Sequence, residues 1–136
     1  MILCHLRRKM IRHQKGQALV EMALIIPLLL VLLLGIFEFG RLFNAYLTVQ
    51  HATREAARVG VLGASDAEII ALVATRAVTL DPALLSVAVS PGEADRDTGT
   101  VMTVTVDYTF QVVMPFISTL LGAGIPIRSA LSMRVE

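Results

Sequence analysis

GQALVEMALIIPLLLVLLLGIFEF, Gly16 to Phe39, is the stretch around which the rest of the chain is read. A glycine closes a basic segment, and a long apolar run follows, broken near its start by one acid, Glu21. Met22 to Phe37 contains no charged residue, and Pro27 is its only helix breaker. With Ala18 to Val20 included, the apolar segment reaches about 20 residues, the length needed to cross roughly 30 Å of hydrocarbon. The alternative is the core helix of a soluble domain, but a chain of 136 residues has too little mass to wrap so uniformly Leu-rich a cylinder. The segment is therefore read as a membrane helix.

Composition agrees. Hydrophobic residues make up 55% of the chain and the mean hydropathy is +0.71, which suits one membrane helix and one small domain. The net charge of +1 hides an asymmetry. Arg7, Arg8, Lys9, Arg12 and Lys15 precede Gly16, and no acid does. Removing those five from the 12 basic residues leaves 7 against 11 acids, so the remainder carries −4. A basic flank on the N-terminal side of a membrane helix keeps that end in the cytoplasm, so everything after Phe39 is expected outside. A nucleic-acid patch would need a folded scaffold to present these cations, and none lies beside them, so no nucleic-acid partner is expected. The single cysteine, Cys4, excludes an internal disulfide.

The helix is expected to continue past the membrane. Leu42, Ala45, Val49, Ala52, Ala56 and Val59 follow spacings of three and four, a helical stripe half made of alanine that permits close approach of another element. Glu38–Arg41 and Glu55–Arg58 have the spacing of intrahelical ion pairs. The helix is expected to end near Val61, between Gly60 and Gly63. Ser65-Asp66-Ala67-Glu68 reads as a capping box that opens a second helix to about Thr79, with Ile69, Leu72, Val73, Ala77 and Leu80 inward. Asp81-Pro82 ends it.

Three strands follow. Leu85, Val87 and Val89 alternate with small polar or apolar residues. Met102, Val104, Val106, Tyr108, Phe110 and Val112 alternate with Thr103, Thr105, Asp107, Thr109 and Gln111, the clearest period of two in the chain. Ile125, Ile127, Leu131, Met133 and Val135 form the third. Residues 91–99 read as a polar loop and 115–121 as a short helical turn. The expected fold class is α+β, with the second helix and the upper part of the long helix covering a small antiparallel sheet. The expected organisation is a basic leader at 1–16, a transmembrane helix at 17–39, its extracytoplasmic continuation at 40–62 and a small α+β domain at 63–136.

The start of the hydrophobic segment is unlike an ordinary secretory signal. There the cleavage site follows the apolar core; here the small residue, Gly16, precedes it. Lys15-Gly16-Gln17-Ala18-Leu19-Val20-Glu21 resembles the processing site of the type IV pilin superfamily. Extended through Met22-Ala23-Leu24, and joined by Phe37-Glu38-Phe39-Gly40-Arg41 and His51-Ala52-Thr53-Arg54-Glu55-Ala56-Ala57-Arg58, it resembles the TadE-like family. Those are minor pilins or pseudopilins of the tight-adherence (Flp, type IVc) pilus system. The resemblance covers the N-terminal half strongly and the C-terminal half in outline, since a long helix followed by a small sheet is also the pilin plan. Major Flp pilins usually carry Tyr after the Glu; Met22 stands here, which favours an accessory subunit.

The resemblance implies cleavage by a prepilin peptidase between Gly16 and Gln17. It also implies pairing of Glu21 with the new N-terminus of a neighbouring subunit. The implied partners are other pilins and pseudopilins, the peptidase, the inner-membrane assembly platform and the lipid bilayer. Physics supplies a separate reason to single out Glu21. An acid at the centre of a membrane helix costs roughly 2.5–3.5 kcal/mol on insertion scales. Glu21 sits instead in the first turns, where the helix dipole is positive. An interfacial glutamate that snorkels to the headgroups is the alternative. Pro27 removes one backbone hydrogen bond, and a kink or softened turn is expected there, with up to about 3 kcal/mol of local destabilisation.

No catalytic constellation is legible. HExxH, GxSxG, a Walker loop and CxxC are all missing from the sequence. The His51, Arg54, Glu55 and Arg58 cluster reads as the solvated face of the long helix. Glu93, Asp95 and Asp97 lack the ordered ligand run of a calcium loop. No enzyme activity and no cofactor are expected. An uncleaved single-pass scaffold of an envelope secretion complex is the alternative function.

Overall fold

The computed structural model describes residues 2–114, 118–119 and 122–135, with side chains described from residue 16 onward. The chain forms helix α1 (Ile2–Gly60), helix α2 (Asp66–Arg76) and strands β1 (Leu85–Ser90), β2 (Val101–Gln111) and β3 (Gly124–Arg134). The strands pair antiparallel in the order β1-β2-β3. This is the α+β arrangement read from the sequence. The chain divides into two compact units, Met1–Phe37 and Glu38–Glu136.

In the first unit, α1 runs through Pro27 without interruption of the helical assignment. Between Leu19 and Phe37 the large apolar side chains are exposed. By length and composition, α1 between Gly16 and Gly60 contains a segment able to cross a membrane. A helix whose leucines all face outward has no protein core to enter, which is the pattern of a helix solvated by lipid.

The second unit has its own core. Ala45, Val49, Ala52 and Ala56 of α1 are buried with Met102, Val104, Val106, Tyr108 and Phe110 of β2 and with Ile69 and Val73 of α2. Ala57 and Thr53 are buried as well, so the covered arc is wider than the predicted stripe. Thr53 tolerates this because its hydroxyl donates to the Val49 carbonyl at 2.8 Å. The reason for the wide arc is that both β2 and α2 reach this face. A Cβ on Gly60 would lie 2.5 Å from Met102 Cε of β2 and 3.0 Å from Ile69 Cδ1 of α2. A side chain at that crossing would displace the Met102 and Ile69 tips from their places in the core.

Gly63, with φ +93°, turns the chain out of α1 in a conformation that favours glycine. Ser65 then caps α2. Its hydroxyl accepts from the Glu68 N–H at 3.3 Å, and the Glu68 carboxylate accepts from the Ser65 N–H at 2.9 Å. The Ser65 N–H, and with it the Ser65 hydroxyl donating to the same carboxylate at 3.0 Å, hold the Glu68 carboxyl below its ordinary pKa. Helix α2 ends at Arg76, short of the expected Thr79. The Leu80 N–H instead closes a turn on the Ala77 carbonyl at 2.8 Å, and that turn carries Leu80 into the core.

The period-two reading of the strands holds. Alternate residues of β2 are buried from Met102 to Phe110, and Val104 lies opposite Val89 on one side and Leu131 on the other. On β3 the inward register includes Ser129, which is buried, whereas Met133 is exposed. The helical turn expected at 115–121 falls mostly outside the described residues; Ser118 and Thr119 within it are helical.

Candidate functional site

The residues singled out by sequence lie along α1. Gly16, Gln17 and Glu21 are helical and exposed, and a Cβ on Gly16 would meet nothing within 4 Å. Gln17 and Glu21 are one turn apart, so they lie on the same side of the helix. No hydrogen bond or ion pair joins Glu21 to any described side chain. It is also the one charged residue between Gly16 and Phe37. Within a single copy, its carboxylate faces the surroundings among exposed Leu19, Val20, Met22, Leu24 and Ile25.

The second acid on α1 behaves differently. Glu38 is only 4% exposed. Its Oε2 accepts from Arg41 Nη1 at 2.9 Å, as its spacing foretold. Its Oε1 accepts from the Val113 backbone N–H at 3.0 Å, across 75 residues of chain. Arg41 in turn lies over the Phe110 ring, 5.2 Å from the centroid, a cation–π placement. This fastening joins the first turn of the second unit to the end of β2. The sequence showed the Arg41 half of this fastening through its spacing of three; the bond to Val113, 75 residues away, it did not show.

Two further ionic contacts correct the local reading. Glu55 does not pair with Arg58; it accepts from Arg76 Nη2 of α2 at 2.5 Å. The reason is packing: α2 brings a cation to the face of α1 where Glu55 lies. The 91–99 loop is polar and mostly exposed, but Arg96 within it is not solvated, its side chain being 6% exposed. It donates to the Pro91 carbonyl and to the Ala64 carbonyl, both at 3.1 Å, and ion-pairs with Asp66 of α2. Arg96 therefore fastens this loop to the turn between the helices. Nothing in the loop's acidic composition marks it for that task.

His51, Arg54 and Arg58 are exposed and are brought into no cluster. Among the described residues, no group of three or more His, Cys, Asp or Glu is placed to hold a metal ion. What the arrangement offers is an apolar helical segment whose acid, Glu21, has no partner among the described residues, and a second unit held together by its own polar fastenings.

Comparison with known families finds a match between residues 16–58 and the family described as TadE-like protein. Comparison with curated proteins and with solved structures finds no significant match. The matched segment contains Gly16, Gln17, Glu21, Pro27 and Glu38 and stops within two residues of the end of α1. The family is pilus-associated and generally non-enzymatic, and one long apolar N-terminal helix fits a single-pass membrane protein of such a system. The resemblance read from the sequence is thus shown over residues 16–58, which carry the TadE-like family's segment and suggest a Tad pilus-associated protein.

Proposed function

We propose that this chain is a non-catalytic minor pilin or pseudopilin of the tight-adherence pilus system, cleaved by a prepilin peptidase after Gly16. Cleavage there removes the basic leader and leaves Gln17 as the new amino terminus of the hydrophobic helix. The N-terminal side starts in the cytoplasm, the span lies in the inner membrane, and the second unit lies outside. Gly16 serves the cut in two ways. It has no side chain to obstruct a protease at the membrane face, and as a poor helix former it eases local unwinding, by about 1 kcal/mol relative to Ala.

The observation that carries this reading is Glu21. It is the one charge in a long exposed apolar surface and has no partner among the described residues. A carboxylate so placed is stabilised by a protein amine brought alongside in the membrane, and the amino terminus of a neighbouring processed subunit is such an amine. Pro27 lies one and a half turns further on, where a softened helix eases withdrawal of the subunit from the bilayer. Its replacement by Leu is expected to slow assembly.

Intact-mass measurement of protein purified from membranes of cells with an active prepilin peptidase tests the proposal. A species beginning at Gln17 is expected, and Gly16→Leu should accumulate the full-length chain. Only full-length chain from the native sequence would overturn the processing step and favour a permanently anchored scaffold.

A further inference from the structure

Within the second unit, ion pairs join Arg41 to Glu38, Arg76 to Glu55, Arg96 to Asp66 and Arg128 to Asp107. Two groups of exposed charge stand outside these pairs and have no ion-pair partner among the described residues. Arg54 and Arg58, one turn apart on α1, form the basic group. Glu68 in the first turn of α2, with Glu93 and Asp95 of the 91–99 loop, forms the acidic group. The loop acids are brought to the start of α2 because Arg96, the next residue, is fastened to Ala64 and Asp66. Each group lies at one end of an exposed apolar stripe. On α1, Phe43 and Leu47 precede the arginines, and Phe43 is 54% exposed. Spacings of four and seven put these four residues on one side of the helix. On α2, exposed Ala71 and Ala74 follow Glu68 at spacings of three, and Val78, just past the helix, is 80% exposed.

We propose that these two faces dock on each other between copies of the chain, α1 of one copy lying antiparallel to α2 of the next. A second copy is the occupant because the chain carries both complementary halves of the contact. The direction follows from the order of residues. Along α1 the apolar part precedes the cations; along α2 the acids precede the apolar part. Only the antiparallel arrangement matches both, and opposite charges enforce it by penalising the reverse. The dimensions agree. Leu47 and Arg54 stand about 10 Å apart along α1, and Glu68 and Ala74 about 9 Å apart along α2. Arg54 then meets Glu68, Leu47 covers Ala74, Phe43 reaches Val78, and Arg58 meets the loop acids. Within one copy α2 runs back along α1, since Gly60 lies against Ile69 and Glu55 binds Arg76. The α1 segments of docked copies therefore point the same way, staggered along their axes by on the order of 10 Å. Two different faces meet, so each copy keeps one face free and the contact repeats head to tail without closing. The docking uses the second unit alone and depends neither on cleavage at Gly16 nor on the membrane reading.

Full-length protein in detergent micelles, with Cys4→Ser, tests this by disulfide crosslinking between separately tagged copies. Copies carrying Leu47→Cys are mixed with copies carrying Ala74→Cys and mildly oxidised. The expected result is a 47–74 crosslink between copies, exceeding the 47–47 product. Charge reversal supplies the second reading, at exposed positions whose side chains hold no fold contact. Arg58→Glu in the first copy should reduce the crosslink about tenfold, and Glu93→Lys with Asp95→Lys in the second should restore it. An unchanged denaturation midpoint shows that these variants fold. No 47–74 crosslink, or one indifferent to charge reversal, would overturn the inference. A predominant 47–47 product would overturn it in favour of symmetric pairing of α1. Crosslinking of position 47 in cells to a different protein alone would overturn it in favour of an unlike partner.

Discussion

Glu21 and Glu38 are two acids on one helix, seventeen positions apart, and they live under opposite rules. Glu21 is exposed among leucines and has no partner among the described residues. Glu38 is buried, yet both of its oxygens are occupied, one by a guanidinium and one by a backbone N–H. The apolar residues beside them differ in the same way. Around Glu21 they are large and point outward; beyond Glu38 one face of the helix stays exposed, while the other, mostly alanine, points into a core. An acid whose demands are met internally stabilises its own fold. An acid left unmet on an apolar surface asks for something from outside.

That contrast is broken most severely by Glu21→Ala. In cells carrying the pilus system we expect loss of pili and of crosslinks to neighbouring subunits, with the stability of the second unit unchanged by denaturant titration in detergent. Wild-type pilus yield from this variant would remove Glu21 from assembly. Glu38→Ala should do the reverse. It leaves the Val113 N–H and Arg41 without their acceptor and should destabilise the second unit by about 2–3 kcal/mol, read as a lowered denaturation midpoint. Glu38→Gln should cost less, since its amide carbonyl still accepts from Val113.

The size contrast predicts Ala52→Leu to be next. Ala52 is 1% exposed, and overpacking at such a site costs about 1–3 kcal/mol. Leu30→Ala in the first unit should leave the same midpoint unmoved. Ser65→Ala should cost about 1 kcal/mol through loss of the cap. The smallest effect is on pH. Because Glu68 titrates lower in the folded chain than in the unfolded one, its contribution is complete above the ordinary glutamate range. That contribution is lost as pH falls through the lowered folded value. Glu68→Gln should flatten that acid limb of a stability profile, and an unaltered limb would show that the capping carboxylate contributes nothing.

The order and type of α2 and of the three strands were legible in the residues, because helix and strand periods and the Ser65 cap are properties of short stretches; the short 3-10 turns at Pro82–Leu84 and Glu93–Asp95 were not. The apolar span and its lone Glu21 were equally plain, since length and missing charge need no partner to be recognised. What the residues alone left open were the pairings across the fold. Local spacing offered Arg58 to Glu55, but α2 supplied Arg76. The loop around Arg96 reads as polar, and only packing sets the Ala64 carbonyl and Asp66 against its guanidinium.

The sequence by itself therefore determined a helix long and apolar enough to cross a membrane, the three-stranded sheet and the segment from Gly16 to Arg58 that matches the TadE-like family. Only the tertiary structure decided which charges are buried and with whom, and that Val113 is held at the level of Glu38. Periodicity is set by the backbone geometry of neighbouring residues and survives in a linear text. The partner of a buried charge is set by which distant groups packing brings within hydrogen-bond reach, and no spacing along the chain encodes that distance.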